Sequence, residues 1–135
     1  MAKFAATDYK ITINGTNFST SLNSVELALS ADDLETTAFG QTWRERIGGL
    51  KDGSITLNFM QDFGASSVDA TLFPLFNTAA TVVLVPTSST VSATNPSYTA
   101  TCLVNSYTPF ASSVGDIATL SVTWPTSGTV TRATT

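Results

Sequence analysis

The cleanest pattern in this chain lies between residues 116 and 124. There Ala118, Leu120, Val122 and Trp124 alternate with Ile117, Thr119, Ser121 and Thr123. A period of two belongs to a strand, whose successive side chains point to opposite faces; a helix would repeat every three to four residues. One face of such a strand packs into a core and the other meets water or a partner. Residues 54–63 repeat the pattern, with Ile55, Leu57 and Phe59, followed by Gln61, set against Ser54, Thr56, Asn58 and Met60. So do residues 22–29, with Val25, Leu27 and Leu29 against Ser24, Glu26 and Ala28.

The composition suits these faces. The 135 residues include 24 Thr and 16 Ser, while charged residues make up only 12%, against about 25% in ordinary soluble domains. Threonine is β-branched and sits well on a pleated surface, and small hydroxyls fill a face that must stay polar without charge. The length allows one domain, residues 1–135, able to bury roughly two-thirds of its unfolded surface without metal or disulfide support.

Further strands are expected on either side. Tyr9-Lys10-Ile11-Thr12-Ile13 runs into Asn14-Gly15, a tight-turn dipeptide, with a returning strand near residues 18–21. Residues 50–53 read as a turn. Thr81-Val82-Val83-Leu84-Val85-Pro86 is a continuous apolar run, as in a fully buried strand, and residues 87–96 form a loop of Ser, Thr, Asn and Pro. Residues 98–107 read as a long strand, 108–115 as a turn region and 129–135 as a polar tail. One helix is expected, over 66–77. Val68, Leu72, Leu75 and Phe76 make its apolar stripe, Ser66 or Ser67 its cap, and Asp69 complements the positive end of its dipole. Pro74 keeps it short or bent. Seven or eight strands with one short helix define an all-β sandwich or barrel whose helix plugs one edge.

Residues 30–49 stand apart. They hold Asp32, Asp33, Glu35, Arg44, Glu45 and Arg46, six of the sixteen charged residues, together with Leu34, Phe39 and Trp43. The reading is an extended arm or long loop. Loops of this length in compact domains are functional or disordered, and the aromatic content argues against disorder. Tryptophan and arginine are enriched where subunits bind tightly, so Leu34, Phe39, Trp43, Arg44 and Arg46 are the subunit-interface candidates. The competing reading folds Trp43 back onto its own domain.

Much chemistry is excluded. The chain has no histidine and one cysteine, Cys102. No Ser-His-Asp or Cys-His nucleophile is possible, and no thiolate cluster exists for zinc or iron–sulfur. Cys102, flanked by Thr101 and Leu103, is expected to be a packed structural thiol. Asp32, Asp33 and Glu35 lack both the facing geometry of paired catalytic acids and the spacing of a calcium loop. Gly48-Gly49 has neither phosphate-loop spacing nor a following helix. No catalytic, metal or cofactor site is expected. Net charge is −4, and only Arg44 and Arg46 among the basic residues lie close together. Tight nucleic-acid binding, which relies on a basic stripe to displace counterions, is not expected. No apolar run approaches the ~20 residues of a membrane helix. The N-terminus, MAKFAATDYK, lacks an apolar stretch of the kind that marks a secretory signal, so synthesis in a cytoplasm is the expectation.

Several strings, in order, carry a resemblance. They are Thr36-Thr37-Ala38-Phe39-Gly40 with Trp43-Arg44 and on to Gly49, Leu50-Lys51-Asp52-Gly53-Ser54, and Ser67-Val68-Asp69-Ala70-Thr71-Leu72. After them come Val91-Ser92-Ala93-Thr94-Asn95-Pro96, then Leu120-Ser121-Val122-Thr123-Trp124-Pro125 ahead of Thr131-Arg132-Ala133. Spread over about residues 8–133, they resemble the major tail tube proteins of long-tailed, non-contractile bacteriophages. The resemblance implies a β-sandwich or barrel with a flanking helix, shared with contractile-phage tail tubes and the type VI secretion tube. It implies rings of six copies whose inner strands join into one barrel, stacked into a tube through which the genome passes on ejection. Other tail proteins would sit at the tube ends, in a virion made in the cytoplasm of a host bacterium. An arm between early strands bridges subunits or rings in that family, and residues 30–49 occupy its position.

A lumen lined with Ser, Thr and Asn would stay wet and leave DNA free to slide, where a basic wall would hold it. The polar faces able to supply that lining are Ser54, Thr56 and Asn58, or Thr119, Ser121 and Thr123; the sequence does not choose between them. The rival expectations are a head-decoration or head–tail joining protein with an immunoglobulin-like sandwich, and a carbohydrate-binding module. The latter calls for coplanar exposed aromatics and an export signal.

Overall fold

The computed structural model describes residues 3–135. Positions 1 and 2, where the reading of the N-terminus begins, lie outside the described residues. In chain order the elements are β1 (Lys10–Ile13), β2 (Thr16–Asn17), a 3-10 turn (Ser19–Ser21), β3 (Leu22–Glu35), β4 (Arg46–Met60), α1 (Val68–Leu75), β5 (Ala79–Val85), β6 (Ser97–Leu103), β7 (Thr119–Pro125) and β8 (Thr131–Ala133). They make two antiparallel sheets, ordered β2-β1-β5-β6-β8 and β3-β4-β7.

The alternation read from the sequence decides what lies between the sheets. Ile55, Leu57 and Phe59 of β4 and Leu120, Val122 and Trp124 of β7 are buried from one side. Ile11 and Ile13 of β1, Ala80 and Val82 of β5, and Ala100 and Cys102 of β6 are buried from the other, and all belong to one apolar cluster. Phe18 meets Phe59 edge to face, with ring centroids 5.9 Å apart. Helix α1 closes one end of the core with Val68 and Leu72. It is shorter than expected: Pro74, in its last turn, has no N–H to donate to the carbonyl four residues earlier, and the chain leaves helical geometry at Phe76. At its start the Asp69 N–H is taken by the Asp62 carbonyl at 3.1 Å rather than by a serine hydroxyl.

The turn at Asn14-Gly15 forms as expected, with φ of 49° and 86°. These values suit Asn and Gly and match a two-residue hairpin. The Asn14 amide oxygen also accepts the Thr81 N–H at 2.8 Å, tying the turn to β5. The returning strand is only Thr16–Asn17. Beyond it Asn17 Oδ1 accepts the Ser19 N–H and Ser19 Oγ accepts the Ile11 N–H, so side chains replace ladder bonds and the chain turns.

Of the two forms expected for residues 30–49, extended arm or long loop, the extended arm is the one observed: β3 and β4 stay paired out to Glu35 opposite Arg46, so only residues 36–45 turn at the tip. The turn expected at 50–53 is the middle of β4. Its glycines serve close approach within the sheet. A Cβ on Gly53 would lie 3.0 Å from Leu29 Cδ2 and 3.3 Å from the Ala28 carbonyl oxygen, and one on Gly49 would lie 3.0 Å from Asp32 Cβ. The register slips between Ala31 and Asp33, opposite Gly49 and Leu50, as in a β-bulge. From Gly53 onward β4 alternates buried and half-buried, whereas residues 46–52 are exposed throughout. The outer half of the hairpin therefore projects beyond the core.

Three other segments differ in detail. The strand expected to reach residue 107 ends at Leu103, where the Val104 N–H turns to the Thr78 carbonyl. Residues 129–135, expected as a polar tail, contribute β8, with Thr131 opposite Thr99 and Arg132 opposite Tyr98. The loop after β5 is built on Asn95, which is 5% exposed. Its Oδ1 accepts the Thr87 N–H, and its Nδ2 donates to the carbonyls of Ser89 and Thr90. Asn95→Ala is expected to cost about 1–3 kcal/mol, the penalty of leaving buried polar groups unpaired, measured by urea denaturation. No loss of stability would mean that water takes over all three bonds.

Cys102 is fully buried, and burial pushes its thiol up to about 11. A protonated, enclosed thiol is inert. Cys102 is expected to resist a chromogenic disulfide reagent in the native protein and to react only on unfolding. Immediate stoichiometric labelling of the folded chain would contradict this.

Candidate functional site

The two polar sets left as alternatives by the sequence form one surface. β4 and β7 are adjacent, with Thr56 opposite Thr123, Asn58 opposite Ser121 and Met60 opposite Thr119; Ser54 lies opposite Pro125. The hydroxyls of Thr56 and Thr123 are 3.1 Å apart, a cross-strand hydrogen bond. β3 extends the surface with Ser24 opposite Asn58, Glu26 opposite Thr56 and Ala28 opposite Ser54. All of these point away from the core, because their neighbours at odd spacing fill it. The charged side chains on this face are Glu26 and, toward the hairpin, Asp52 opposite Ser30. Both are acidic. Glu26 was visible in the alternation of residues 22–29, but only strand pairing brings it beside Thr56.

The two edges of this sheet differ. Along β7, hydroxyls of residues 106–112 take the outward carbonyls. Ser106 Oγ donates to Thr123 O at 3.5 Å, Thr108 Oγ1 to Ser121 O at 3.3 Å and Ser112 Oγ to Thr119 O at 3.4 Å. Ser112 Oγ also accepts the Thr119 N–H at 3.0 Å. Spacing by two residues lets an extended segment present these hydroxyls along one side. β3, fourteen residues long, is the other edge.

At the hairpin tip the five interface candidates come together but do not pack on the domain. Phe39 is fully exposed, Trp43 is 85% exposed and Leu34 50%. The folded-back reading of Trp43 does not hold. Leu34 lies opposite Ile47, an apolar pair that the sequence reading missed, since Ile47 sits alone among polar residues and glycines. Arg44 bonds Glu35 at 3.0 Å and Arg46 lies 3.7 Å from Asp33. Such exposed pairs add little stability, about 0–1 kcal/mol each. The turn itself is ordered by local bonds: Glu45 N–H to Thr37 Oγ1, Ala38 N–H to Gln41 Oε1 and Gln41 Nε2 to Glu45 Oε1.

A second group of exposed apolar side chains lies past the other end of β4. Phe63 stacks on Phe110 with centroids 5.5 Å apart, and Val114 and Ile117 are exposed beside them in sequence. This end is held by Gln61, whose Nε2 donates to Pro109 O and to the Tyr107 hydroxyl, and by Tyr107, whose hydroxyl donates to Asp69 Oδ1 at 2.6 Å. Burial, and then Asp69, push the Tyr107 phenol up to about 12.

Among the described residues no group of three His, Cys, Asp or Glu side chains could hold a metal ion. No helix among them is long and apolar enough to cross a membrane.

No protein-family model matches the chain, and no curated protein matches it. Solved structures do. The chain superposes on one from the virion of a native gene transfer agent particle with a TM-score of 0.77 and 14% identity, over 97% of this chain and 99% of that one. It superposes on a chain from the tail of an empty gene transfer agent particle, refined with helical C6 symmetry, with a TM-score of 0.69 and 14% identity, over 91% and 92%. At this identity the likeness establishes the fold: an all-β chain with one short helix, of the kind found in a phage-like tail.

Proposed function

We propose that this protein is a structural component of a phage-like tail, in which six copies close into a ring and rings stack into a tube that conducts DNA. The observation that carries the reading is the near full-length fold match to a chain of a C6-symmetric tail. Physical features of the chain favour it. A fourteen-residue edge strand exposes backbone donors and acceptors that invite pairing, and ring closure removes such edges. The outward face of β3-β4-β7 is hydroxyl-rich, and its Glu26 and Asp52 repel phosphate, so as a lumen lining it leaves DNA mobile. The projecting hairpin, with Leu34, Phe39, Trp43, Arg44 and Arg46, reaches a neighbouring copy or ring. The role is non-enzymatic, the location the virion tail after synthesis in a host bacterium, and the tube ends meet other tail proteins.

The test is the assembly state. Light scattering over a concentration series is expected to show growth beyond the single chain, and electron microscopy hollow tubes with sixfold end views. A chain that remains a single subunit at high concentration overturns the proposal. Discrete small oligomers that decorate capsids would support the head-protein alternative instead.

A further inference from the structure

Asn14-Gly15 does more than reverse the chain. Strands β1 and β5 pair from Lys10 opposite Val85 to Ile13 opposite Val82, a register that sets position 14 against Thr81. Asn14 is already turning there, with φ of 49°, so its backbone does not continue as a strand. Its side chain completes the pair instead. The Asn14 N–H donates to the Thr81 carbonyl at 2.8 Å, and the Thr81 N–H donates to Asn14 Oδ1 at 2.8 Å, where a strand would offer its own carbonyl. The side-chain amide is thereby held on β5, while Gly15 leads into β2 on the opposite side of β1.

The same dipeptide carries a reactivity, for asparagine is a labile residue. In an unfolded chain the Gly15 nitrogen closes on Asn14 Cγ. The N–Cγ bond forms, the Cγ–Nδ2 bond breaks, and the glycine amide proton leaves with ammonia. Water then opens the succinimide at one carbonyl to give aspartate, or at the other to give isoaspartate. Of the seven asparagines only Asn14 precedes a glycine, which has no Cβ to obstruct the closing ring. Both residues are exposed, so burial does not keep water or base away from them. The bond to Thr81 does the protecting, because Cγ cannot swing onto the Gly15 nitrogen while Oδ1 is held on β5.

We infer that Asn14-Gly15 is a latent deamidation site, closed in the folded chain by the Thr81 N–H and opened when β1 leaves β5. The two products differ in consequence. Aspartate keeps an acceptor for the Thr81 N–H and a short polar side chain that tolerates positive φ. Isoaspartate routes the backbone through Cγ and lengthens it by one carbon between Ile13 and Gly15. The pairing there is exacting: Thr12 lies opposite Asn17 and Ile13 opposite Thr16. Just beyond, the Phe18 N–H donates to the Ile11 carbonyl at 2.9 Å, and the buried Phe18 ring meets Phe59. A longer turn breaks this register and withdraws Phe18 from the core. Time spent unfolded is thus recorded covalently, and a chain carrying isoaspartate is barred from the native packing.

The test incubates the full chain at mildly alkaline pH in buffer and in urea, with peptide mapping by mass spectrometry and enzymatic methylation to count isoaspartate. The Asn14 amide is expected to be lost at least about tenfold faster in urea, since the native chain reacts only through local opening. Through low urea, Asn14 loss and hydrogen exchange at the Thr81 N–H are expected to rise together. After removal of urea, molecules with aspartate at this position are expected to return to the folded peak in size-exclusion chromatography, and those with isoaspartate to stay out of it. Equal rates in the two states, or loss while Thr81 stays protected, overturn the guard. Loss at Asn14 no faster in urea than at Asn23 or Asn105, which precede serine, overturns the site. Normal refolding of the isoaspartate fraction overturns the consequence.

Discussion

Trp124→Ala is expected to destabilise the protein by about 3–5 kcal/mol, the usual cost of emptying a large aromatic site in a packed core. Trp124 is fully buried at the end of β7, opposite Ile55 of β4. Its indole Nε1–H donates to the Ser106 carbonyl at 3.0 Å, fastening residues 105–112 beside the β7 edge. Alanine leaves a cavity the size of an indole and frees that carbonyl. Domains are stable by only about 5–15 kcal/mol, so a loss of this size consumes a large share of the total. Trp124→Phe keeps most of the volume and is expected to lose less. Denaturant unfolding followed by circular dichroism measures both; a loss below about 1 kcal/mol for alanine would show that neighbouring side chains collapse into the space.

The other tryptophan is expected to behave in the opposite way. Trp43→Ala should leave stability within about 0.5 kcal/mol of wild type, because an exposed tip side chain has little packing to lose. Its effect is expected on assembly. Central aromatic anchors commonly contribute 2 kcal/mol or more to an interface, so the critical concentration for tubes should rise about 30-fold or more. The two effects can be read from the same samples. Emission from Trp124 reports the core once Trp43 is gone, while light scattering reports assembly. Unchanged tube formation by Trp43→Ala removes the tip from the contact; a large loss of stability would mean the indole packs on its own domain after all.

Much of the fold was legible in the residues. Period-two alternation in 22–29, 54–60 and 117–124 marks three strands that do pair; the core faces of the last two are buried, while in the first Val25 and Leu27 are half-buried and Leu29 is exposed. Asn14-Gly15 marks a hairpin because few other dipeptides accept two positive φ angles. The strand pairing within the arm was not legible. Gly48, Gly49 and Gly53 read as flexible or turning when taken singly, yet in the sheet two of them admit close neighbours, and the long pairing hides between charged residues without alternation. Residues 129–135 were unreadable for a related reason. A three-residue strand carries no period, and β8 exists only because β6 offers it an edge.

The candidate site divides in the same manner. Which residues carry hydroxyls, that Trp43 and Phe39 travel with arginines, and that histidine is missing altogether are properties of the chain itself. Local spacing also settles which side of each strand is polar, because alternation is a property of neighbours along the backbone. That Thr56 and Thr123 share one surface, that Glu26 joins them, and that aromatic groups gather at two ends of a single long strand are not. Those facts depend on register and on pairing between residues up to 67 positions apart. Backbone hydrogen bonds that set register are the same for every residue type, so only the whole packed structure selects them.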